Sequence, residues 1–327
     1  TLLEVTPEAV GEAGQPKEGR SRLWRTVVDQ RIRLSVRRRG FPEALALQRG
    51  VVRWDEQQAA ELESKSIEQL TSRQKALVLT LAKSLNRLGS IARSDSQPNI
   101  ETENRAIALC EQLGDCRRAA DWAYDLGVSY TEVRAIRDLA RAEKWLKRAL
   151  DLLPDGDAAR ARFLASLGQV GWERFRFARS GERPESELIR HLTDARRYYE
   201  QAIEHDDPKD YARLAQHHLQ FAHVSYSLGD IERAVPHYCD AIRLNQAQGS
   251  GLSAARIRFN LAIALRDVGR LGEARKYAAA AFGELRAFNG PVSEGLLDRS
   301  RRLVMHIEQK LQEKQDRRSR RVAHHAW

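Results

Sequence analysis

The chain has 327 residues, of which 42% are apolar and 31% charged, and a formal net charge of +10. That length accommodates two ordinary domains or one elongated repeat array, and the composition suits a soluble helical protein with a large solvated face. No apolar run approaches the roughly 18 residues of a membrane-spanning helix. The cysteines Cys110, Cys116 and Cys239 have neither CxxC nor zinc spacing, so a reducing, cytoplasmic setting without disulfides or membrane is expected.

Residues 1–20 lack a basic stretch followed by an apolar core, so no signal peptide is expected there and the segment reads as a flexible lead. The first helix spans Trp24–Arg39. A turn at Gly40 leads into a long second helix, with Pro42 just inside its start, where a missing N–H costs nothing. A second pair combines Leu85, Leu88 and Gly89 with Ala106–Cys110 across the loop Ser94–Asn99. A third combines Trp122, Leu126, Gly127 and Tyr130 with Ala142, Leu146, Ala149, Leu152 and the terminating Pro154. In the fourth, Phe163, Leu167, Gly168 and Trp172 precede Ala195, Tyr198, Tyr199 and Ala202, and Arg179–Pro184 reads as an inserted loop.

Residues 215–248 and 255–288 then repeat one pattern. They share Gly229/Gly269, Ala234/Ala274 and Ala241/Ala281, with Ile231/Leu271 apolar in both. They differ at His223 against Ile263 and Tyr226 against Arg266, where partner specificity would have to lie. After Pro291, the residues Leu296, Leu297, Leu303, Val304, Ile307 and Leu311 form one stripe. Residues 291–316 are therefore expected to be a helix capping the exposed end of the array, and 317–327 a frayed basic tail.

An internal repeat of two helices predicts an all-α fold, an α-solenoid of about six helix-turn-helix units over residues 21–290. The recurring Leu-Gly, Ala-x3-aromatic and Ala positions resemble the tetratricopeptide repeat family. In that pattern the Gly and Ala positions are expected where paired helices approach most closely. The 40-residue spacing of the last two units exceeds the minimal period of about 34. In this it resembles the longer-period arrays of adaptors and of sensor regions in multidomain regulators.

Motifs of catalysis are missing from the sequence: there is no P-loop, GxSxG, HExxH or GxGxxG. Adjacent helical residues diverge, so His217-His218 and His324-His325 read as polar surface residues rather than metal ligands. Asp155, Asp157, Asp206 and Asp207 read as helix starts. No enzyme activity, cofactor or metal is expected.

The family resemblance implies that first helices line a concave groove. Carried over by register, the N-terminal units offer Arg33, Arg37, Lys83, Asn86, Arg87 and Arg93. The middle units offer Arg162, Gln169, Trp172 and Glu173, and the last two His223, Tyr226, Arg256, Asn260 and Arg266. The expected role is a scaffold or sensor module whose partly basic groove grips an acidic segment or charged terminus of a protein or peptide. The competing reading is that these side chains are solvated or paired with neighbours, with Trp172 in the core. The chain begins at Thr1 and its sole Met is Met305. With the longer period, that suggests the C-terminal part of a larger bacterial signalling or defence regulator, fused to or in complex with an effector. The alternative is nucleic-acid binding through the basic N-terminal units and the Arg-rich tail, with affinity falling steeply as salt rises.

Overall fold

The computed structural model describes residue 16, residues 21–288 and residues 290–324. The expected flexible lead, Pro16 apart, and the last three residues of the basic tail lie outside them. The described residues form thirteen α-helices and two short 3-10 turns, with no β-strand among them. The chain divides after Asp157 into two compact units.

The first unit is three hairpins: α1 (Ser21–Arg37) with α2 (Phe41–Ala59), α3 (Ser72–Ser94) with α4 (Ile100–Gln112), and α5 (Cys116–Glu132) with α6 (Leu139–Asp151). The second is α7 (Ala159–Ser180) with α8 (Glu185–Glu204), α9 (Tyr211–Ser227) with α10 (Ile231–Ala247), and α11 (Gly251–Asp267) with α12 (Leu271–Leu285), followed by α13 (Pro291–His324). Within each unit every helix packs on the next, the sequential pattern of a solenoid, and α13 closes the second unit against α12 and α11. The fold class read from the sequence is therefore the one observed.

Local chemistry starts these helices. Asp115, Asp138, Asp210 and Asp230 precede α5, α6, α9 and α10, and each carboxylate accepts a first-turn backbone N–H. Thr71 before α3 forms a reciprocal capping box with Gln74. The two 17-residue helices α9 and α10, each followed by a three-residue linker, account for the 40-residue period.

The glycines divide into two kinds. Gly229 and Gly269 sit in the turns at φ 79°, where a side chain is strained, and nothing lies within 4 Å of the space a Cβ would occupy. Their shared position reflects backbone handedness, not the close helix approach expected from the repeat. Close approach belongs to Gly127 and Gly168, where an added Cβ would lie 2.7 Å from Leu146 and 2.8 Å from the Tyr199 ring. The shared alanines do sit in the packing layer: Ala234, Ala241, Ala274 and Ala281 are fully buried.

Three other expectations change. The loop expected at Arg179–Pro184 narrows to residues 181–184: α7 runs to Ser180 and α8 begins at Glu185, so the inserted length is taken up as helix. The capping helix buries Leu296, Leu303 and Ile307, as its stripe implies, and continues beyond residue 316 through the start of the basic tail to His324. Asp206 is not a cap. It is buried and accepts from Arg213 Nε at 2.5 Å, with His217 Nδ1 at 2.6 Å, while Asp210 starts the helix.

Candidate functional site

The second unit holds a pocket of about 320 Å³ lined by Trp172, His223, Tyr226, Ser227, Tyr238, Asn260 and Ile263. Trp172 comes from α7, His223, Tyr226 and Ser227 from α9, and Asn260 and Ile263 from α11, so the first helix of each hairpin contributes. Tyr238 enters from α10. Four residues assigned to the groove by register, Trp172, His223, Tyr226 and Asn260, are thus brought together.

The pocket is polar at its edges and uncharged within. Burial, and then the neighbouring Arg256 cation, push the His223 imidazole down to about 4, so it is neutral at pH 7. Its Nε2 stands 3.4 Å from Asn260 Nδ2, and its ring meets Tyr238 edge-on at 5.6 Å. Tyr226 donates its hydroxyl to Asp267 at 2.6 Å. Burial and this carboxylate raise the Tyr226 phenol to about 12. Burial works against the Asp267 carboxylate, but hydrogen bonds from Tyr226 and Arg266 hold it below its usual value. Arg266 grips that same carboxylate at 2.6 Å, so this rim is internally neutralised. Trp172 is half-buried, packs on Phe175 with ring centroids 5.3 Å apart, and also faces the pocket.

The remaining register residues have other surroundings. Gln169 donates to Glu173 at 3.1 Å and accepts from Tyr199, so it serves the interior of the α7–α8 hairpin. Arg162 lies over the Phe163 ring, and Arg256 is exposed. In the first unit Arg33, Arg37 and Lys83 are exposed and Asn86 is half-buried. Arg87 is bound to Asp29 of α1 at 2.6 Å. Arg93 is 12% exposed and paired with Glu103, itself 2% exposed. Two of the cations expected to face a partner are therefore engaged within the fold.

Tyr238 and Ser227 were missed as pocket residues. Tyr238 reads as the aromatic packing position of its repeat, and nothing in its spacing distinguishes a ring that also borders a cavity. His217 and His218 do diverge as adjacent residues must, but neither is a surface residue. His217 contacts Asp206, and His218 Nδ1 lies 3.0 Å from His237 Nδ1. Among the described residues no group of three or more His, Cys, Asp or Glu could hold a metal, and no helix is long and apolar enough to cross a membrane.

No family model matches the chain, and no curated protein sequence matches it. Among solved structures, aspartyl phosphate phosphatase F from Bacillus subtilis is similar at 14% identity, over 87% of this chain and 82% of its own, with a TM-score of 0.48. The apo form of RapI is similar at 12% identity, over 88% and 72%, with a TM-score of 0.46. A signal transduction ATPase with numerous domains and a tetratricopeptide repeat sensor, from Pyrococcus horikoshii, gives 13%, 86% and 42%, with a TM-score of 0.37. Likeness at this level assigns no function, and the helical-repeat class rests on the chain's own sequential hairpins.

Proposed function

We propose that this chain is a non-catalytic protein-interaction module of tetratricopeptide-like type, which anchors an uncharged, large side chain of a peptide partner in the pocket of its second unit. The convergence of Trp172, His223, Tyr226 and Asn260 on one cavity carries this reading. A neutral imidazole and an amide offer hydrogen bonds without a charge to match, and Trp172, Tyr238 and Ile263 supply contact area, the composition of interface hot spots. The cavity is large enough to take a bulky side chain together with part of the backbone that carries it. The chemistry differs from the acidic grip expected from the sequence, because Asp267 balances Arg266 on this rim and, among the described residues, no cation lines the cavity. A sensor or adaptor role within a larger regulator is part of the same proposal.

A displayed random-peptide library panned on the protein tests it. Enriched sequences should share one aromatic or large aliphatic residue, and Ile263→Asp, which places a charge in the pocket, should weaken their binding at least about tenfold. Enrichment without such a residue, or binding indifferent to Ile263→Asp, would refute the pocket as the anchor.

A further inference from the structure

A second recognition surface lies in the first unit, at a place where no groove residue was expected. Two adjoining hollows, of about 530 and 480 Å³, share Arg49 of α2 and Leu88 of α3. The larger runs past Leu45 and Ala92 to the turn before α4, and the smaller is walled by Ala46, Val52 and Arg53. Gln48 of α2 is buried and donates to the Ser84 carbonyl at 2.9 Å, which ties α2 to α3.

Arg49 and Arg53 stand one helical turn apart, so their like charges are neighbours and mutually unfavourable. Both are exposed. Neither forms an ion pair among the described residues, although cations around them do. The acids of α2 are engaged elsewhere: Glu43 with Ser35 and Arg31, Asp55 with Arg25 at 2.5 Å, and Glu56 with Arg105 at 2.6 Å. Glu56 is three residues from Arg53, the natural place for a partner, and faces Arg105 instead. What results is a two-guanidinium rim over an apolar floor of Leu45, Val52 and Leu88.

We propose that this surface binds an acidic segment of a protein partner, in which one apolar side chain enters the hollow and flanking carboxylates bridge Arg49 and Arg53. Guanidinium forks match carboxylates bidentately, and the pairing would remove the repulsion between the two arginines. The apolar floor, which receives a side chain, favours such a peptide over a nucleic-acid strand, whose continuous phosphate charge requires a longer basic track. The site is separate from the second unit's pocket and does not rest on it.

Fluorescence anisotropy on the full chain tests it with three labelled probes: a Glu-rich peptide with one central Leu, the same peptide with that Leu replaced by Gly, and a single-stranded oligonucleotide of equal charge. The Leu peptide should bind, and the Gly peptide at least about tenfold more weakly. Arg49→Glu with Arg53→Glu should abolish binding, and Ala46→Glu, an exposed change that neutralises the rim from within, should weaken it at least about tenfold. Equal binding of the Leu and Gly peptides, wild-type affinity in the charge-reversed variant, or stronger binding of the oligonucleotide would overturn the proposal. Unchanged circular dichroism of both variants secures that a loss is not unfolding.

Discussion

At the scale of single residues, the recurring theme is which charges the fold keeps for itself. The Arg93–Glu103 pair is buried, and Glu103 fills the space beside Gly89 that a Cβ would need. Removing one partner strands the other charge, so Glu103→Leu should cost about 3–5 kcal/mol. Adding Arg93→Met should recover much of that loss, as urea unfolding would show. Failure of the double variant to recover would mean the pair does more than neutralise itself. The histidines make a second prediction. His223 and His237 are both pushed down to about 4, chiefly by burial. Both states leave them neutral above about pH 6.5. As pH falls from there towards 4, the unfolded chain takes up protons that the folded one refuses, so stability drops across this window. For His223, the more deeply buried ring, the loss should be on the order of 2–3 kcal/mol by the lower end of the window, and for the more solvated His237 it should be smaller. His223→Gln should flatten the dependence of the urea midpoint on pH, and an unaltered slope would contradict the burial of that ring.

At the scale of elements, the hairpins were legible because their signals are local. Apolar periodicity, an Asp before each of several helices, and a Gly between them all act within a few residues. Asp230→Ala should cost about 1 kcal/mol through the exposed first turn of α10. Interhelical fit is less legible: Gly168 looks like any helical Gly, yet an added methyl would press on the buried Tyr199 ring. Gly168→Ala should therefore destabilise by about 1–3 kcal/mol, and a thermal melt showing a gain would place Tyr199 elsewhere. The loop expected at Arg179–Pro184 is present at 181–184, where Gly181 and Pro184 are turn residues, but it carries no insertion. These two residues mark a tight turn between two lengthened helices.

At the scale of the whole molecule, the chain has two compact units, and each contains three hairpins. The second includes its own apolar clusters and the α13 cap, which buries Leu296, Leu303 and Ile307. A polypeptide of residues 158–324 should accordingly be helical and unfold cooperatively on heating, and a broad, sloping melt would show that this unit is not complete. The net charge of +10 also acts at this scale. It favours weak, salt-sensitive association with any polyanion, so nucleic-acid binding is separated from peptide recognition by titration at two salt concentrations. Retained affinity at high salt belongs to apolar anchoring, whereas a collapse for every probe belongs to charge alone.

The sequence by itself determined the helices, their pairing into hairpins, the repeat and the cap, because each follows from patterns spanning one or two turns. It also placed Trp172, His223, Tyr226 and Asn260 at positions that meet in one pocket, since register along first helices translates into a shared face. Only the tertiary structure decided which cations are available to a partner. Arg87 meets Asp29 from 58 residues away, Arg93 meets Glu103 across a hairpin, and Arg49 and Arg53 have no carboxylate partner among the described residues because Asp55 and Glu56 turn to other helices. An ion pair is settled by distance in space at the few-ångström scale, and no spacing along the chain encodes that distance between helices.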